Sequence, residues 1–280
     1  MLVIIVLGWL LTVAIEYYDR RLSDQTNMSQ TEAQLRAGAL RLERNLNNIL
    51  QVNYDFAAGL PAEKSNSDEQ MQQIAGNLIS RHQRIINITL SQNFEVVFVY
   101  PFLGNEAVLG MNYANRPYIM TGVQRAIEQR DTVVTGPISL VQSERLGLVG
   151  RTPIFFASAD GKSGLLKGVV STAIDFEGVL ADAGLLTPDL PFVLAIRGRD
   201  GTGAQGEPFF GDAALFKQAH VAVDMNLPGG QWRLAAIPKP TSALADHRPW
   251  LIRGIGALLT LALVLLLFAR NQRLSFIQTG

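Results

Sequence analysis

There is no cysteine in these 280 residues. Disulfide stapling, thiol catalysis and thiolate metal sites are therefore excluded, while either side of a membrane remains open. Histidine is almost as scarce: His82, His220 and His247 lie far apart and lack the spacing of a zinc site, so no metal is expected. An excess of charge is missing too. Twenty-four Lys and Arg balance 24 Asp and Glu, which gives no reason to invoke nucleic acid as a partner. No serine sits in a nucleophile elbow. The stretch GTGAQG, Gly201 to Gly206, matches G-x-G-x-x-G, but Pro208 and strand-like Phe209 follow where a dinucleotide fold needs a helix, so it reads as a hairpin turn. Asp160-Gly161 and Asp200-Gly201 are turn dipeptides. The chain is not expected to be an enzyme or to hold a cofactor; any enzymatic output would belong to a domain outside it.

What the sequence has in quantity is apolar surface. Hydrophobic residues make up 48% and mean hydropathy is +0.17, high for a water-soluble protein. The excess is at the ends, where Leu2 to Ile15 and Gly254 to Ala269 carry no charge. Both read as membrane spans, assigned to residues 1–19 and 249–269. No small-x-small cleavage site follows Ile15, so the first is expected to be an uncleaved anchor, with Glu16 and Tyr17 at the interface. Residues 270–280 would begin a cytoplasmic segment. Arg20, Arg21, Arg248 and Arg253 flank the central region, and a literal positive-inside rule would make it cytoplasmic. Long loops translocate largely regardless of charge, so a two-pass protein of the inner membrane with a periplasmic or extracellular centre is expected.

After the first span, Leu35, Ala39, Leu42, Leu46, Ile49, Asn53, Phe56 and Leu60 follow an alternating 4-3 spacing, a heptad seam on one long helix. Ser23 or Asp24 is a candidate N-cap, and Gly59 with Pro61 a terminator. Such a stalk has roughly 35 residues and a length of about 50 Å. Its seam either packs on the chain's own domain or joins a second copy in a homodimer. Asn53 suits register selection between helices, or a hydrogen bond to a neighbouring loop.

The polar link PAEKSNSDEQ leads to a second helix, about Glu69 to Arg84, which completes a stalk region at residues 20–84. Strand patterns follow. FEVVFVYPF is the first strong one, then a helix at about Arg116 to Gln129, strands at Val133–Val141, Leu146–Phe156 and Leu165–Ile174, and the short helix DFEGVLADAG. A helix among hairpin-connected strands predicts antiparallel sheets with helices, an α+β fold. One lobe is assigned to residues 85–186. A second, 187–242, repeats the pattern with FVLAIRGRD, HVAVDMNL and QWRLAAIP, after a break at LLTPDLP.

The pieces YP…GNE…LG, V.TGP..L.Q, RLG…R.P.F and G.V…ID.EG.L, between Val97 and Gly184, resemble the CHASE domain in order and spacing. That family is the extracellular sensory module of bacterial and plant receptor histidine kinases and of diguanylate cyclases. The resemblance covers the middle third of the chain and implies two PAS-like lobes, of which the membrane-distal one binds a small molecule and signals to a cytoplasmic effector. In the plant cytokinin receptors of the family, an aspartate just after the LG-like position contacts the ligand. Asn112 stands there in this sequence, which argues against a cytokinin-like purine. Arg151 stands where those receptors carry a hydroxyl side chain.

A guanidinium suits a carboxylate or phosphate, so Arg151 is expected to read an anionic, carboxylate-bearing small molecule. The alternative is an internal salt bridge to Glu106, Glu144 or Asp175. Asn112, Tyr113, Arg116 and Tyr118, around the start of the NRPY helix, are further ligand candidates, helped by the positive end of that helix. Tyr100 and Thr135 are ligand candidates as well, and Tyr100, Tyr113 and Tyr118 suit a second role as core aromatics with a wet edge. Thr135 and Gly136 are placed on the same strand edge, where Gly136-Pro137 also suits a bulge. A second functional class stays open: a ligand-free, membrane-tethered dimerisation scaffold.

Overall fold

The computed structural model describes residues 2–60, 67–140, 146–156, 164–218, 220–239 and 247–278. It divides into two compact units, one of Met1–Gln30 with Pro238–Gly280 and one of Thr31–Ile237.

The first helix, α1, runs from Leu2 to Ala58 without a break. No proline interrupts it, and it ends at Gly59, ahead of Pro61. Ser23 and Asp24 are interior to the helix and cap nothing, because the residues before them are already helical. Apolar segment and stalk are thus one continuous helix, and only the N-cap expected at Ser23 or Asp24 is corrected. A second helix, α2 (Ser67–Ile79), ends five residues earlier than its pattern suggested. The β-branched run that follows forms strand β1 (Ile85–Gln92), which the sequence reading left unassigned.

The first sheet adds β2 (Glu95–Tyr100), β3 (Val133–Ser139), β4 (Leu146–Phe155) and β5 (Leu166–Asp175), in the order β2-β1-β5-β4-β3. Its pairings are antiparallel, with Arg151 opposite Val133 on one side and Ser171 on the other. Helix α3 (Pro117–Gln129) precedes β3, and α4 (Phe176–Asp182) follows β5, capped by the Asp175 carboxylate, which accepts from Gly178 N at 3.2 Å. The second sheet consists of β6 (Phe192–Arg197), β7 (Pro208–Phe210), β8 (Val221–Leu227) and β9 (Gly230–Pro238), ordered β7-β6-β9-β8. The GTGAQG stretch is a pair of 3-10 turns leading to β7, as a turn reading requires. The fold is α+β, with PAS-like antiparallel sheets.

The first sheet is covered on both faces, and its strands alternate with a period of two. Ile88, Leu90, Val134, Leu148, Val170 and Ile174 join one core with the α1 seam. Val123 of α3 and Val169 lie in a second cluster with Tyr113. The seam is committed to its own domain: Leu35, Ala39, Leu42, Leu46, Ile49 and Phe56 are all buried within the chain. Of the two alternatives for the seam, packing on the chain's own domain is the one these residues take. Asn53 makes its bonds to strands, not to a loop. It donates Nδ2 to Gly150 O at 3.1 Å and to Thr152 Oγ1 at 2.9 Å, and its Oδ1 accepts from Thr172 Oγ1 at 2.5 Å. A polar seam residue was free to choose strands because β4 and β5 present Gly150, Thr152 and Thr172 to α1.

The two lobes share contacts. Phe176 of α4 meets Phe209, Phe210 and Trp232 edge-on at 5.8 to 6.0 Å. Arg125 of α3 donates to Asp200 O at 2.8 Å and to Gly229 O at 2.6 Å, and Val134 N donates to Pro228 O at 2.9 Å.

In the other unit, the N-terminal part of α1 and helix α5 (Arg248–Gln278) are each long and apolar enough to cross a membrane. A Cβ at Gly8 would strike Thr260, and one at Gly256 would strike Thr12, while Gly254 faces open space. Two of the three glycines thus sit where the helices approach closely. Arg253 grips Glu16 with Nε and Nη2, both at 2.9 Å, and Arg20 shares the same carboxylate.

Replacing Asn53 with leucine leaves buried Gly150 O and Thr172 Oγ1 without their partner. The expected loss is about 3 kcal/mol, against less than about 0.5 kcal/mol for Leu40→Ala on the exposed side of the same helix. Urea denaturation of both variants checks this; equal losses would show that Asn53 does not fasten α1 to the sheet.

Candidate functional site

Alternation along the strands builds the site. On the sheet face turned away from α1, odd-numbered residues converge: Asn87 and Thr89 from β1, Val149 and Arg151 from β4, Ser171 and Ala173 from β5. With Tyr113, Val108, Met111, Ile119, Ile138, Ser139 and Leu140 they line a cavity of ≈ 60 Å³. Helix α3 is drawn close above it at Gly122, where an added Cβ would sit 2.7 Å from Thr135 Cγ2 and 3.4 Å from Arg151 Nη1. Gly122 therefore keeps room for the guanidinium beneath the helix.

Arg151 is 3% exposed. Its Nη1 donates to Thr135 Oγ1. Among the described residues no carboxylate lies within the 4.0 Å of an ion pair. Glu106 is turned to Gly104 N at 2.9 Å, and Asp175 caps α4 and faces Arg84 at 3.9 Å. The salt bridges expected to these two residues are thus corrected, because each carboxylate is held by its own loop or helix start. Glu144 lies outside the described residues. Burial pushes the Arg151 guanidinium below its ordinary pKa, and Tyr113, Tyr118 and Asp200 oppose that shift; an arginine nonetheless stays charged.

Three buried side-chain atoms lack a hydrogen-bond partner among the described residues: Arg151 Nε, Ser171 Oγ and Trp232 Nε1. The first two belong to residues directly opposite each other across β4 and β5, and both residues line the cavity. Buried polar atoms are nearly always satisfied in native proteins. Both orphans can donate, so a hydrogen-bond acceptor held beside these two residues would satisfy them.

Of the residues singled out by sequence, Arg151 and Tyr113 line this cavity, and Thr135 holds Arg151 in place. Asn112, Arg116, Tyr118 and Tyr100 are outside its lining. Asn112 caps the turn Tyr113–Asn115, accepting from Ala114 N at 2.9 Å. Arg116 caps α3 through its backbone, its carbonyl accepting from Met120 N at 3.0 Å. Tyr118 reaches the second lobe, donating to Asp200 Oδ1 at 2.6 Å, and the same oxygen accepts from Gly136 N at 2.7 Å. Tyr100 packs against the α1-side core beside Gly76 of α2. Gly136-Pro137 does form a bulge, since the β3/β4 register shifts between Thr135 and Ile138. Asn87, Thr89 and Ser171 were missed. The signal for Ser171 was present in VVSTAI, where two hydroxyls interrupt a buried apolar strand.

Residues 26–210 match the CHASE domain family. The chain belongs to that family. No curated protein matches the sequence. Among solved structures, the CHASE chain is similar to the ligand-binding domain of the Pseudomonas aeruginosa PAO1 amino acid chemoreceptor PctC in complex with GABA. The identity is 15% and the TM-score 0.53, over 75% of this chain and 99% of that one. It is similar to that of the Pseudomonas fluorescens chemoreceptor CtaA in complex with L-isoleucine, at 13% identity and TM-score 0.54, over 79% and 96%. An extracellular ligand binding receptor from Desulfohalobium retbaense DSM5692 aligns at 19% identity and TM-score 0.48; the CHASE chain, 76% covered, spans 40% of its length. The two structures with TM-scores of 0.53 and 0.54 show a common fold. Membership of the CHASE family makes this chain a sensory module of the extracellular, ligand-sensing kind.

The Tyr118 phenol is pushed above its ordinary value, first by burial and then by its bond to Asp200. Above about pH 10 the unfolded phenol ionises while the folded one keeps its proton, so its contribution to stability is complete below that value and lost as pH rises further. The wild type should therefore lose stability more steeply than Tyr118→Phe as pH rises above about 10. Parallel curves would show that Asp200 does not hold this phenol.

Proposed function

We propose that this CHASE protein is a two-pass sensor of the inner membrane whose periplasmic or extracellular lobe binds a small anionic molecule and signals to a cytoplasmic effector. The effector would be of the histidine kinase or diguanylate cyclase type. The carrying observation is Arg151, a buried cation with an unpaired Nε beside a cavity. Tyr113, Asn87 and Ser171 complete the binding surface, and Thr135 holds the guanidinium. Leaving a buried charge unpaired is costly, and an anion in the cavity relieves that cost. The domains similar in fold bind GABA and L-isoleucine in their respective complexes, and both compounds carry a carboxylate.

The route outward begins on β4. Arg151 faces the cavity, while Gly150 and Thr152 on either side of it are bonded to Asn53 of α1. An anion that draws Arg151 and β4 toward itself strains or relieves those bonds, and α1 contains both the stalk and the first apolar segment. The ligand shifts the helix only insofar as it binds the two arrangements unequally.

The test is a thermal-shift screen of the full chain in detergent against organic acids, nucleotides and purines. A ligand at 100 times its Kd stabilises by about 2.7 kcal/mol. Arg151→Ala and the gentler Arg151→Lys should lose the shift while retaining a cooperative transition. Equal shifts in wild type and both variants would reject the role of Arg151, and no shift from any compound would favour the ligand-free scaffold.

A further inference from the structure

From the shape and chemistry of the same cavity we infer that its ligand is a short aliphatic monocarboxylate without an amino group, an acid of about two to four carbons. This rests on the reading of Arg151 as an anion-binding residue and narrows it by size, charge and polarity.

Size comes first. The cavity has ≈ 60 Å³, and each water-sized occupant needs about 10–15 Å³ on this measure, so about four to six non-hydrogen atoms fit. Acetate, propionate and butyrate span that range, whereas a purine or a nucleotide exceeds it.

Charge comes second. Among the described lining residues Arg151 is the one cation, and no carboxylate is present. One guanidinium balances one negative charge. A second carboxylate, or the extra charge of a phosphate, would be buried without a partner, and an ammonium group would have no acid to meet it. The two orphaned atoms suit a carboxylate: Arg151 Nε donates to one oxygen, and the Ser171 hydroxyl, directly across the strand pair, donates to the other.

Polarity comes third. Val108, Met111, Ile119, Ile138 and Leu140 supply apolar lining. An alkyl tail fits against such side chains, and a charged or strongly polar tail would lose its hydration there without compensation.

The experiment is isothermal titration calorimetry of the full chain in detergent with acetate, propionate, butyrate, butyramide, succinate, L-2-aminobutyrate and inorganic phosphate. Propionate or butyrate should bind at one site. Butyramide, which lacks the charge, and L-2-aminobutyrate, which adds an ammonium, should each bind at least about tenfold more weakly. Ser171→Ala should weaken butyrate by about tenfold. Ala173→Leu, which fills the cavity from β5 without removing a polar group, should abolish binding while the thermal transition stays cooperative. Tighter binding of L-2-aminobutyrate, succinate or phosphate than of butyrate, still dependent on Arg151, would overturn the monocarboxylate assignment and leave the anion sensor standing. Binding of butyrate unchanged by both Arg151→Lys and Ala173→Leu would move the site elsewhere and overturn both readings. Absence of binding by all three monocarboxylates at millimolar concentration would also overturn this assignment.

Discussion

A β-strand sends successive side chains to opposite faces, and in β4 that rule connects a cavity to the long helix α1 through adjacent residues. Arg151 points into the cavity, while Gly150 and Thr152 reach Asn53 of α1. No long relay is needed, because a single strand carries both roles. The same parity holds in β1 and β5, where Asn87, Thr89, Ser171 and Ala173 face the cavity and Ile88, Leu90, Val170 and Thr172 face α1. A slip of one residue in any of these pairings would exchange the two surfaces. Register therefore fixes which residues line the cavity, and Asn53, with two strands in its grip, helps to hold it.

A buried guanidinium has to be accommodated by the groups around it. Thr135 provides a partner for Nη1, and Gly122 leaves space for the guanidinium under α3. Asp200, from the second lobe, acts on Arg151 electrostatically from beyond ion-pair distance, its carboxylate being held by Tyr118 and Gly136 N. The arginine is thus partly compensated without being neutralised by a neighbouring carboxylate among the described residues. In the proposed sensor this would leave it free to favour an incoming anion, since an intimate internal salt bridge would compete with any ligand.

The second lobe belongs to this arrangement as well. Its turn at Arg199–Gly201 supplies the acid that meets Tyr118 and the β3 bulge, and Arg125 of α3 bonds to both Asp200 and Gly229. The bulge at Gly136 exposes the N–H that Asp200 accepts from, so an irregularity in the first sheet is where the second lobe attaches. CHASE membership and the chemoreceptor fold are consistent with this pair of sheets.

The sequence by itself determined the α+β class, the apolar ends, the long seam helix and the place of Arg151 in a buried strand, because each is a local or periodic signal: hydropathy runs, 4-3 spacing, strand alternation and a charge within an apolar strand. It also contained the ordered fragments by which the family was recognised. Tertiary structure decided the rest. Whether the seam of α1 met a second copy or its own sheet depended on what β4 and β5 present to Asn53, and an apolar stripe does not name its partner. Tyr118 and Asn112 looked like ligand residues because they are near Tyr113 in sequence, yet chain proximity is not cavity proximity: one reaches Asp200 and the other caps a turn. Ser171 became visible only when pairing set it opposite Arg151, for cross-strand neighbours 20 residues apart share no local pattern.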